Sequence, residues 1–126
     1  MDGKQAISTP KAAPPGGPYN QGIRWGNLVF TASVGSRRPG QPDPAPEDFK
    51  AHVANALENV KAILEAGGSS LDNVLKVTAY LRDRSKFEEM NEVYRRYFAG
   101  TLPARTLVLV ADGGPIAFDA IAFVSE

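Results

Sequence analysis

Between residues 47 and 66 the apolar side chains Phe49, Val53, Leu57, Val60 and Leu64 recur at spacings of four, four, three and four, which sets them on one stripe of an α-helix. Pro46, Glu47 and Asp48 suit its first turn, and Gly67-Gly68 supplies the glycine that commonly follows a helix end. Val74 to Leu81 changes period: Leu75, Val77, Ala79 and Leu81 alternate with Lys76, Thr78 and Tyr80, as in a strand with one buried face. A second helix is predicted from Ser85-Lys86-Phe87-Glu88, read as a capping box, with Phe87, Met90, Tyr94 and Phe98 facing inward. Two further β-rich runs, Arg105 to Val110 and Ile116 to Val124, flank Asp112-Gly113-Gly114-Pro115.

Upstream of the first helix, Tyr19 to Arg24 and Leu28 to Ser33 read as a hairpin around Trp25-Gly26-Asn27. Residues 1–15 read as an extended leader before a turn at Gly16-Gly17-Pro18, and the proline- and glycine-rich segment 35–46 reads as a surface loop. The predicted order is β-β-α-β-α-β-β, an α+β single domain over 1–126 with two helices on one face of one sheet. In the last run Ile116, Phe118, Ala120, Ala122 and Val124 alternate with Ala117, Asp119, Ile121 and Phe123, so both faces are largely apolar. Two-sided burial is implied, and self-association is the simplest way to achieve it.

Composition narrows the function classes. The 126 residues carry 14 basic and 14 acidic side chains and no cysteine, which excludes thiolate catalysis, disulfides and cysteine-based zinc sites. The single histidine, His52, stands beside the apolar stripe of the first helix, where packing or solvation is favoured over catalysis, and no metal site is expected. No apolar run reaches membrane-spanning length and the N-terminus lacks a signal-peptide core, so no membrane role and a cytoplasmic location are expected. Arg37-Arg38, the cluster Arg82, Arg84 and Lys86, and Arg95-Arg96 offer local basic charge, but zero net charge argues against a nucleic-acid partner and favours solvated surface.

Candidate chemistry centres on Arg105 and Asp119. A carboxylate within a doubly apolar strand needs a partner. Hairpin pairing of the last two strands would bring Arg105 near it, either as a structural ion pair or as a site where Arg105 grips a ligand carboxylate and Asp119 handles protons. Trp25 is open to a core, interface or pocket-rim role.

The same residues carry a family resemblance. Ala13-Pro14-Pro15-Gly16-Gly17-Pro18-Tyr19-Asn20-Gln21-Gly22, the segment Asn59 to Thr78, Met90-Asn91-Glu92-Val93-Tyr94, Leu102-Pro103-Ala104-Arg105-Thr106 and Phe118-Asp119-Ala120-Ile121-Ala122 resemble, in order, elements of the reactive-intermediate deaminase (Rid, YjgF-like, L-PSP endoribonuclease) family. The resemblance implies a chorismate-mutase-like homotrimer with a barrel-like centre, clefts between subunits and no cofactor. It implies Arg105 as anchor for a small carboxylate ligand, Asp119 in place of a family Glu that positions water or moves a proton, and Tyr19, Ser33 and Asn91 around the substrate. The implied substrates are enamines and 2-imino acids, hydrolysed to 2-keto acids and ammonia. Alternatives are a relative that binds or transforms another carboxylate, and an RNA-directed ribonuclease or translation inhibitor. Two departures are visible. Ala32-Ser33-Val34 stands where many deaminases have Ser-Gly-Gln, and Asp119 is one methylene, about 1.5 Å, shorter than Glu.

Overall fold

The computed structural model describes residues 3–125. Its elements are β1 (Lys4–Ile7), β2 (Gly22–Trp25), β3 (Leu28–Thr31), α1 (Phe49–Ala66), β4 (Val74–Leu81), α2 (Phe87–Tyr97), β5 (Ala104–Leu109) and β6 (Ile116–Phe123). The six strands form one sheet in the order β1-β2-β3-β6-β4-β5. Only the β4–β5 pair is parallel, as the intervening helix α2 allows.

The α1 stripe behaves as its spacing predicts: Phe49, Val53, Leu57, Val60 and Leu64 are all buried. Asp48 caps the helix by accepting the Ala51 N–H at 3.3 Å, so the helix begins two residues later than the run from Glu47 suggested. The stripe packs on the sheet face formed by Val29, Val77, Ala79, Phe118, Ala120 and Ala122. Gly67 is required there by space rather than by φ, because a Cβ would lie 2.6 Å from Ile7 Cδ1 and 3.1 Å from the Val29 methyls. The β2–β3 turn puts Gly26 at φ +58 while Asn27 keeps a negative φ, the signature of a turn demanding glycine first.

Several readings differ from the structure. The leader contributes an edge strand, β1, paired with β2. Only Ile7 of its four residues is buried, so backbone pairing holds it and leaves little hydrophobic pattern to read. The Ser85–Glu88 capping box does not form: Asp83 accepts both the Ser85 N–H at 2.9 Å and its hydroxyl at 2.7 Å, and α2 starts at Phe87. Phe98 lies just past α2 but stays buried, its ring 4.6 Å from that of Tyr94. Finally, β5 and β6 are not a hairpin, because β4 lies between them.

The helices cover one face. On the other, alternation and register align Phe30 with Ile121, Thr78 with Asp119 and Thr106, and Tyr80 with Ala117 and Val108. Within one chain this face is uncovered, and Phe30, Val108 and Phe123 are exposed on it.

Candidate functional site

Arg105 stands on β5 in register with Val77 of β4, which pairs in turn with Ala120 of β6; Val77 and Ala120 are buried beneath the helices. The Arg105 side chain therefore belongs to the helix side of the sheet edge, where its guanidinium carbon lies 4.8 Å from the ring centre of Tyr94 and 5.7 Å from that of Phe87. Stacking on aromatic faces holds the fork while leaving its N–H edge for a planar anion. Among the described residues no carboxylate pairs with Arg105. It lines a cleft of about 370 Å³ with Asn91, Tyr94, Arg95, Leu102 and Pro103. Burial, the dominant cause, pushes the Tyr94 phenol up to about 12, against a weaker opposing effect of the Arg105 charge. Tyr94 thus stays protonated near neutrality.

Asp119 occupies the opposite face. It aligns with Thr78 and accepts a 2.7 Å hydrogen bond from the Tyr80 hydroxyl. That bond is the main reason the Tyr80 phenol titrates above its ordinary value, with burial and the negative carboxylate adding to it. The intrachain ion pair between Arg105 and Asp119 is therefore absent, because the inserted β4 separates the strands and alternation turns the two side chains apart.

Tyr19 and Ser33 line a second cleft of about 400 Å³, together with Gln21, Ala32, Arg37 and Gly114. It shares no lining residue with the Arg105 cleft. The Tyr19 ring is half exposed, and its hydroxyl accepts the Gly16 N–H at 3.0 Å, which fixes the turn before it. Ser33 is flanked by Val34, whose backbone bridges to Phe118 through bonds of 2.9 and 3.0 Å. Of the residues expected around a substrate, the structure thus groups Arg105 with Asn91 and Tyr19 with Ser33, and leaves Asp119 on the open sheet face.

Two buried polar residues that build the second cleft escaped the sequence reading. Gln21 accepts the Thr9 N–H at 2.7 Å and donates to the carbonyls of Thr9 and Ala13 at 3.0 and 2.9 Å, pinning the leader. Asn59, fully buried on α1, donates to Gly35 O and Arg37 O at 2.9 and 2.7 Å and accepts from Arg38 at 2.9 Å. The available signal was an amide beside Val60 on an apolar helix face, which needs buried partners. His52 serves the same loop. Ala45 O can only accept, so Nε2 carries the proton at 3.1 Å and Nδ1 accepts from the Ser36 hydroxyl at 2.7 Å. It is a packed structural residue, as its position suggested.

Comparison with known proteins identifies the family and the fold. A family model described as endoribonuclease L-PSP matches residues 9–116. A RutC family protein of Pyrococcus abyssi is 44% identical over 108 residues, covering 86% of this chain and 85% of the relative. A protein of Dermatophagoides farinae named 2-iminobutanoate/2-iminopropanoate deaminase is 32% identical over 112 residues, covering 89% and 88%. The crystal structure of Escherichia coli TdcF with bound serine superposes with a TM-score of 0.90 at 34% identity, covering 96% of this chain and 99% of that one.

Proposed function

We propose that this chain, which belongs to the endoribonuclease L-PSP family, hydrolyses small 2-imino acids and their enamine tautomers to 2-keto acids and ammonia, with Arg105 holding the substrate carboxylate. The observation that carries this reading is the Arg105 guanidinium itself, stacked on Tyr94 and Phe87 at a cleft and without an acidic partner among the described residues. A half-buried cation on an edge strand, with no counterion among the described residues, suits an anionic ligand. The deaminase name of the mite relative and the serine in the E. coli TdcF structure support a small carboxylate carrying nitrogen at C2.

The chemistry asks little of the protein. An imine carbon is already electrophilic; water adds to it, the tetrahedral adduct loses ammonia as the nitrogen takes up a proton, and the carbonyl forms. Fixing the carboxylate while a water is held over C2 supplies orientation, a large share of catalytic power in such reactions. The two half-clefts explain how the remaining groups reach the substrate. Tyr19 and Ser33 on one side and Arg105 and Asn91 on the other join when a second copy covers the open sheet face, and three copies close the ring as a homotrimer. Asp119 then handles the proton or water from a neighbouring copy, released from its bond to Tyr80.

A second reading is favoured by a specific observation: Ala32 offers no hydroxyl to the Tyr19 cleft, and Asp119 is already engaged by Tyr80. On that reading the cleft binds or transforms a different carboxylate without general deaminase activity. An RNA role is opposed by Arg38, which donates to Asn59 and to Lys11 O at 3.0 Å and so is committed to the fold.

The test is to generate several 2-imino acids with an amino-acid oxidase and follow keto-acid release against spontaneous hydrolysis. Acceleration by the wild-type protein that is lost in Arg105→Ala supports the deaminase. No acceleration of any imine, with Arg105-dependent binding of 2-keto acids, supports the second reading.

A further inference from the structure

A second guanidinium stands at the Arg105 cleft. Arg95 is four residues after Asn91 on α2, hence on the same helix face, and the two line the cleft with Tyr94 and Arg105. The nearest acidic side chain along its own helix, Glu92, is committed elsewhere: its carboxylate meets Lys50 Nζ at 2.7 Å, and Lys50 is the principal cause of its lowered pKa, with Arg95 a minor one. Among the described residues no hydrogen bond or ion pair engages the Arg95 guanidinium. A surface arginine is ordinarily solvated or paired along its helix. Here it lines, with a second unpaired arginine, one cavity of about 370 Å³, so that two cationic groups face the same space.

We infer that the cleft selects ligands with two anionic groups: a 2-imino acid whose C1 carboxylate lies on Arg105 and whose side chain ends in a second carboxylate met by Arg95. Arg95 is a specificity-determining residue in this account. Its long stem and exposed position let it follow side chains of different length, whereas Arg105 is fixed by two rings. The inference rests on Arg105 holding the first carboxylate, and it concerns substrate class rather than the hydrolytic step.

The experiment compares wild type, Arg95→Ala, Arg95→Glu and Arg105→Ala on two imines made by amino-acid oxidases, one from alanine and one from aspartate. In parallel, calorimetry measures binding of 2-oxobutanoate and 2-oxoglutarate, which needs no turnover. The wild type should prefer the diacid in both assays. Arg95→Ala should cut that preference roughly five- to tenfold, the scale of one charge-assisted contact, with the monoacid nearly unchanged. Arg95→Glu should reverse it. A diacid-to-monoacid ratio that is unaltered in both Arg95 variants overturns the inference, as does a loss of assembly mass in Arg95→Ala with an unaltered ratio, which would give Arg95 to a neighbouring copy. Failure of the underlying reading looks different: Arg105→Ala would then leave binding of both acids intact.

Discussion

Arg105 owes its position to two aromatic rings rather than to a salt bridge, and this changes what its replacement should do. Arg105→Lys keeps the charge but loses the planar fork and the stacking on Tyr94 and Phe87. Carboxylate affinity should fall by about tenfold in the lysine variant and by about a hundredfold in Arg105→Ala, on the scale of one and two charge-assisted hydrogen bonds. Calorimetry with a 2-keto acid checks both, and circular dichroism checks that the fold survives. Tyr94 makes a separate prediction. Its hydroxyl is the one buried side-chain polar atom without a hydrogen-bond partner among the described residues, and its pKa is raised to about 12 by burial. A phenol whose folded pKa exceeds its unfolded value near 10 contributes stability that is complete below 10 and lost as pH rises through 12. Tyr97, raised to about 12 with burial the largest cause, acts in the same direction. Thermal stability should therefore decline between about pH 10 and 12, and Tyr94→Phe should flatten part of that decline while costing less than about 1 kcal/mol at neutral pH. A steeper decline in Tyr94→Phe would contradict the assignment.

Among the elements, helix α1 works as the post to which the irregular segment 35–46 is tied. Asn59 holds Gly35, Arg37 and Arg38, and His52 holds Ser36 and Ala45, so loop 35–46 is shaped by buried polar groups rather than by regular structure. Asn59→Ala should destabilise the fold by about 2–3 kcal/mol through the carbonyls left unpaired, and limited proteolysis should then cut within 35–46. Unchanged melting and an uncut loop would show that Asn59 is not the tie. These contacts also mark the reach of sequence reading. The α1 stripe, the alternation of β4 from Val77 onward and the β2–β3 turn are local periodicities, and they were legible. Leu75, expected to face inward, is exposed, because a register shift between Val74 and Lys76 buries Val74 instead. Strand β1 was not, because edge pairing with β2 requires no apolar alternation. Nor was the placement of β4 between β5 and β6, since neighbours along the chain ordinarily pair and nothing in either strand forbids a hairpin. That single misplacement moved Asp119 from beside Arg105 to the other face. Arg105, Asn91 and Tyr19 were identifiable as cleft residues from their motifs, and Ser33 from its place in a segment that departs from the family pattern, whereas their division into two clefts depends on tertiary structure.

At the scale of the whole molecule, the proposed association of copies would bring the two clefts together and cover the open sheet face. Phe30 and Ile121 lie side by side on it, in register on β3 and β6. Ile121→Asp would place a charge where another copy should pack, next to an apolar neighbour. Sedimentation equilibrium should give three times the chain mass for the wild type and a smaller species for Ile121→Asp. Imine hydrolysis should fall with the assembly even though Arg105 is untouched. A wild-type monomer with full activity would show that one chain carries a complete site.

The most direct measurement is the decay of 2-aminoacrylate and its imine tautomer, generated in place by a serine dehydratase, in the presence of wild type and Arg105→Ala. Keto-acid release that the wild type accelerates and Arg105→Ala does not is the predicted result. Equal acceleration by both proteins would contradict the claim that Arg105 holds the substrate.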